Sequence, residues 1–154
     1  MARFFRRGVS KIRWITAPSN PAAPTLAEVN AGVALDAALA DISGFEFANT
    51  PIPVPDLAST FTATIPGEDT TQNPTMTFYD DDTTTTIRTA LAKGNAGYVI
   101  FAPYGIANTK RAEIWPAKVT GYNDAWTAAN EAAKATAGFA ITSTPNQAYA
   151  LPAS

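Results

Sequence analysis

Hydrophobic and polar positions alternate most cleanly around residues 76–79, where Met76 and Phe78 are interleaved with Thr77 and Tyr79. That period of two predicts a strand with one buried and one polar face. Asp80, Asp81 and Asp82 follow. They offer a side-chain oxygen as helix N-cap, assigned here to Asp82, and negative charge at the positive helix end. Ile87, Ala90 and Leu91 then recur at helical spacing, and Gly94 stands after Lys93 as a stop signal. Residues 98–102 are apolar at every position, which predicts a strand covered on both faces. The stretch from 76 to 105 therefore reads as the centre of the core, a helix packed over a sheet.

The rest of the chain is organised around it. Residues 1–8 read as an extended arm, because the adjacent Phe4 and Phe5 cannot both face one core. The single domain then runs from 9 to 154, beginning with a strand over 9–16 and a Pro-rich loop over 17–24. Thr25 and Glu28 form a capping box, opening a helix that Gly32 ends. Residues 33–40 fit helix or strand. A strand over 42–48 with Gly44 as a bulge precedes an extended linker over 50–57, whose three prolines cannot donate to a ladder. Thr60, Thr62 and Thr64 alternate with Phe61, Ala63 and Ile65 in a further predicted strand. The polar segment 66–75 is expected to be a loop offering Glu68, Asp69, Gln72 and Asn73 as contacts.

After the central unit, 105–111 is a polar turn and 112–120 a strand, placed at an edge or a bulge by Pro116. Residues 124–132 favour helix by propensity. From 133 to 141, however, Ala133, Ala135, Ala137, Phe139 and Ile141 fall on one face at period two, so a loop leading into a strand is expected. The remainder is a turn and a tail. About seven strands and one or two helices predict a mainly β fold: a β-sandwich or rolled antiparallel sheet with one flanking helix.

Composition narrows the function. The chain holds neither Cys nor His, which removes thiolate metal sites, disulfides and the commonest general base. The net charge of −2 conceals a division. Five cations and no acid lie in residues 1–13, and six cations against thirteen acids follow. No segment is long and apolar enough to span a membrane, and Lys11 and Arg13 interrupt the only stretch resembling a signal peptide. The protein is read as unexported.

Candidate chemistry is sparse. The triple Asp could hold Ca²⁺ or Mg²⁺, but consecutive positions point different ways and helix capping accounts for it. Glu68 and Asp69 could imitate a glycosidase pair, although a polar loop more simply holds them as solvated charge. Residues 92–98 follow a helix where a phosphate loop would open one. Trp14, Trp115 and Trp126 could form a sugar platform, or pack in a core. No catalytic residue, metal or cofactor is expected.

Several segments together carry a resemblance: RRGVSKIRWI near the start, PTLAEVNAG, DISGFEF, TFYDDDTTTTIRTALAKGNAGYVIFAPYG, IWPAKVTG and the closing AITSTPNQAYALPA. In this order and spacing they resemble the major tail tube proteins of long-tailed, non-contractile siphovirus-type bacteriophages, notably those infecting actinobacteria. The Ala-rich segment 124–139 departs from that pattern. The resemblance implies a tail-tube-like β fold that associates six to a ring and forms an inner β-barrel on oligomerisation. It implies rings stacked into a tube, assembled in the host bacterial cytoplasm, that houses the tape-measure protein, meets other tail proteins and passes double-stranded DNA.

On that reading, Arg3, Phe4, Phe5, Arg6 and Arg7 are an inter-subunit arm, and Thr60, Thr62, Thr64, Thr75 and Thr77 are lumen candidates. A DNA conduit should not grip phosphates, and an anionic body suits that. The other readings are a soluble carbohydrate- or ligand-binding β-sandwich module, a tail terminator, or the tube of a contractile tail.

Overall fold

The computed structural model describes residues 2–152. Ten strands and two short helices occur in it: β1 (Lys11–Ile15), α1 (Leu26–Ala31), β2 (Val33–Ala34), β3 (Leu39–Ser43), β4 (Phe47–Val54), β5 (Ala63–Thr71), β6 (Thr75–Tyr79), α2 (Thr86–Ala90), β7 (Ala96–Ala102), β8 (Arg111–Ala125), β9 (Lys134–Ile141) and β10 (Asn146–Ala150). Eight strands make one curled antiparallel sheet in the order β2-β1-β7-β8-β9-β6-β3, with β10 also against β8. Among the described residues β4 and β5 pair only with each other. The fold is mainly β, a half-barrel with a projecting hairpin.

The fifteen-residue β8 organises the sheet. One edge pairs with β7, while the other pairs first with β10 and then with β9. Pro116 is thus in a central strand, which corrects the expected edge position. Its carbonyl accepts the Thr142 N–H at 3.1 Å, so its nitrogen faces the same side, where β9 gives way to β10. No ladder bond is lost there. The terminal segment expected to be a tail is β10, held by that same edge.

The pleat sends Ile12, Trp14, Val99, Trp115, Val119, Met76, Phe78 and Phe139 to one face, where Ile87 and Ala90 of α2, buried Leu91 and the Phe45 ring pack on them. On the opposite face, Ile15, Ile100 and Ile114 are buried under Val29 of α1 and under Tyr149 and Leu151. The Tyr149 hydroxyl ties this layer together by donating to the Pro24 carbonyl. β7 is therefore apolar throughout because it is covered twice.

Local chemistry sets the helix ends. Thr25 Oγ1 accepts the Glu28 N–H at 3.2 Å and Glu28 Oε1 accepts the Thr25 N–H at 3.1 Å, a complete capping box. At Gly32 a Cβ would lie 2.6 Å from Ile15 Cγ2, so glycine lets the end of α1 meet β1. The Asp82 cap does not form. α2 starts only at Thr86, with Thr85 as N-cap and no side-chain cap bond. Asp81 instead accepts the backbone N–H and hydroxyl of both Thr83 and Thr84. That local turn, through a run of β-branched threonines that resist helix, delays the start.

The largest correction concerns residues 47–71. The predicted linker is most of β4, and the predicted polar loop supplies Pro66–Thr71 of β5. Pro51 lies at a register shift and Pro53 pairs with Thr64. Prolines fit here because each strand has a single partner. A Cβ on Gly67 would come within 2.1 Å of the Thr50 carbonyl oxygen, so the strands close up only around glycine. Gly44 is a turn between β3 and β4 with φ +81, not a bulge inside one strand.

Candidate assembly surfaces

Three surfaces remain once the core is accounted for. The first is the second face of β3, β6, β9 and the far half of β8. Strand alternation that buries Met76, Phe78, Ala135 and Ala137 at 0% exposure turns Thr75, Thr77, Thr136 and Gly138 the other way. These side chains are half-buried by their neighbours, and Ser43, Thr120 and Ala140 beside them are exposed. Hydroxyls meet across the strands, Ser43 to Thr75 at 3.0 Å and Thr77 to Thr136 at 3.4 Å. Asp41, Lys118 and Lys134 are its charged members by register, and Lys134 lies over the Tyr79 ring at 5.9 Å. The surface is mostly small, hydroxylic and neutral.

Thr75 and Thr77 lie on this face. Thr60 and Thr62 do not, because they precede β5 in the hairpin turn, and Thr64 pairs with Pro53 inside the hairpin. The five threonines are not brought onto one surface. Their alternation with Phe61 and Ile65 looked like a buried face, whereas both faces of that hairpin are open.

The hairpin is the second surface. Ile52, Val54, Leu57, Phe61 and Ile65 are exposed on it, Leu57 and Phe61 most fully. At its base Phe47 rests near Trp115, the rings 5.7 Å apart. Exposed apolar patches of this kind mark interaction sites. Glu68 and Asp69 lie on β5 rather than in a loop, Asp69 accepting the Asn49 amide at 2.6 Å. Gln72 and Asn73 connect β5 to β6. The five apolar residues were missed by sequence reasoning; their signal was an apolar series set among prolines with no core partner.

The third surface is the arm. Phe4 leans on Tyr104, ring centroids 5.3 Å apart, and the Arg6 guanidinium sits 5.6 Å from the Phe4 ring. Phe4 is 49% and Phe5 69% exposed, and neither joins a core cluster.

Charged groups elsewhere serve the fold. Thr83 and Thr84 hold the Asp81 carboxyl down at about 2 by hydrogen bonding. Hydrogen bonds from the backbone N–H groups of Thr25 and Ser19 lower that of Glu28. Arg88 bonds Asp124, which raises its pKa, and lies 4.9 Å from the Tyr122 ring, clamping α2 to β8. Trp14 and Trp115 are buried in the core and Trp126 is exposed, so the three do not form one platform.

The model of the phage tail tube protein family matches residues 1–154. The chain belongs to the phage tail tube protein family. This tail tube protein is a structural component of the virion tail, not an enzyme. No curated protein matches it in sequence. Two solved structures share its fold. One is described as the sixfold-symmetrised baseplate of the anti-feeding prophage, with 9% identity, TM-score 0.59, and 95% of this chain and 97% of that chain covered. The other is the extended sheath–tube complex of an extracellular contractile injection system called PVC, with 10% identity, TM-score 0.56, and coverage of 90% and 88%.

Proposed function

We propose that the chain associates six to a ring and that the rings stack into the tube of a non-contractile phage tail. The observation that carries this is the uncovered, hydroxyl-lined face of β3, β6, β9 and β8, directly behind a fully buried core face. Placed side by side, such faces from six subunits make the inner barrel. The bore houses the tape-measure protein during assembly in the host cytoplasm and conducts double-stranded DNA at ejection. Phosphate contacts with Lys and Arg dominate DNA affinity; this surface is mainly Thr, Ser, Gly and Ala, with Lys118 and Lys134 against Asp41 as its charges, so it offers passing DNA few contacts to hold. No membrane takes part. Arg3, Phe4, Phe5, Arg6 and Arg7 bind a neighbouring subunit, as do Glu68, Asp69, Gln72 and Asn73 around the hairpin. Contacts that do not close on themselves generate filaments, and the open end of such a tube recruits other tail proteins.

The chain's lack of cysteine allows a direct test of the bore. A Thr136→Cys variant should react with a small maleimide both as free subunits and in tubes. A large PEG-maleimide should label only the free subunits. Equal labelling of intact tubes by the large reagent would place this face outside. A tube within a contractile sheath is the second reading, favoured by the contractile systems among the structural neighbours; a sheath protein bound to the isolated tube would decide for it.

A further inference from the structure

We propose that Trp126, in the loop between β8 and β9, enters a hollow at the opposite end of the same sheet in a second copy, joining each ring of the tube to the next. The inference rests on the tube reading and adds to it a contact between rings. Trp126 is 90% exposed, whereas Trp14 and Trp115 are each 1% exposed. Every residue from 125 to 133 is exposed as well. Tryptophan is prominent among the few residues that carry most of an interface's binding energy.

Strand register fixes where loop and hollow lie. Ala125 and Tyr79 both pair with Lys134, so the loop caps the end of the sheet at which β6 finishes and β9 begins. Ser43 pairs with Thr75, and Thr75 with Gly138, at the other end. There a hollow of about 410 Å³ opens, and no residue of the 126–133 loop lines it in the same chain. Pro74, Phe139 and Ile141 give it apolar surface, and Asn73, Thr75 and Thr120 bring side-chain oxygens. That combination suits an indole, which has an apolar ring and a single N–H donor. Head-to-tail stacking sets one end of each subunit against the other end of the next, so the loop of one ring faces the hollow of its neighbour.

Charge agrees with this pairing. Glu131 is the one charged residue between 126 and 133. Lys118 is exposed beside the hollow, in register with Ala140, which lines it. Among the described residues neither Glu131 nor Lys118 forms an ion pair. Asp124 is held by Arg88, and Lys134 lies over the Tyr79 ring. Seating Trp126 therefore brings an unpaired carboxylate toward an unpaired ammonium, which orients the approach.

Three measurements test the contact. Acrylamide should quench the Trp126 emission of free subunits and lose most of that effect in tubes. Under mild oxidation, tubes of Asn73→Cys combined with Thr127→Cys, or with Ala128→Cys, should give disulfide-linked ladders that run past one ring of subunits. Trp126→Ala should leave the circular dichroism unchanged and cut tube yield by about tenfold or more. Glu131→Lys and Lys118→Glu should each lower the yield, and the two together should restore it. Tubes in which Trp126 stays fully quenchable, or in which neither cysteine pair cross-links, would overturn the contact while leaving the tube intact. Ladders that stop at one ring would place Trp126 against a neighbour within the ring and overturn it too. Absence of tubes from the unaltered chain would instead remove the reading beneath it.

Discussion

Deleting Ala2–Gly8, or changing Phe4 and Phe5 to Ser, is expected to leave a folded subunit that no longer builds long tubes. Neither ring enters a core cluster, so the sheet loses nothing it depends on. Both rings keep much of their surface open, and Phe4 is already partly covered by Tyr104. Fully burying an aromatic is worth about 1.5–3 kcal/mol, so covering what remains of the two contributes roughly 2–4 kcal/mol per subunit by the same measure. Exposed ion pairs from the arginines add only about 0–1 kcal/mol each. The Ser variants, which keep Arg6 and Arg7, therefore separate the aromatic contribution from the charge of the arm. Circular dichroism reports the fold and negative-stain microscopy the tubes. Normal tubes from the deletion would exclude an assembly role for the arm, normal tubes from the Ser variant would exclude one for its aromatic rings, and an unfolded subunit would place the arm in the core.

Trp115→Ala is expected to have the largest effect on the subunit itself. The side chain is 1% exposed and packs with Phe45, Phe47 and Phe101 at centroid distances of 5.6, 5.7 and 6.5 Å. Removing a buried Trp leaves a cavity and costs about 3–5 kcal/mol, against a total of roughly 5–15 kcal/mol for a domain. The loss also frees Phe47, which anchors the base of the hairpin on that ring. Denaturant unfolding should show a midpoint far below that of the parent chain. Limited proteolysis should cut first within residues 47–71. A shift below about 1 kcal/mol, outside the range for such deletions, would contradict the packing described.

The parts of the fold that were legible are those where one local signal and one tertiary role coincide. β7 reads as apolar because it is covered on both faces, and the α1 capping box is complete within four residues. The loop before β9 was readable because Ala135, Ala137 and Phe139 keep period two despite their helical composition. Other elements depend on partners distant in sequence. Pro116 is compatible with a central strand only because β8 changes neighbour beside it, a change set some thirty residues later by β9 and β10.

The hairpin was hidden for a different reason. Its prolines deny it a ladder on both sides, its faces are both open, and each strand is stabilised by the other alone. Such a pair has no inward pattern to read. The candidate assembly surfaces shared that fate. Alternation is enough to put Thr75 and Thr77 on the face opposite Met76 and Phe78, whereas the apolar hairpin residues read from sequence as a strand face or a linker. Asp82 failed as a cap because Asp81 captured both following threonines first.

Electron microscopy of the purified chain under concentrating conditions tests the central claim most directly. The tube reading predicts hollow filaments of stacked rings, with six subunits in each axial projection and the face bearing Thr75 and Thr136 turned to the bore. Particles that remain single subunits at every concentration, or filaments with that face outward, would contradict it.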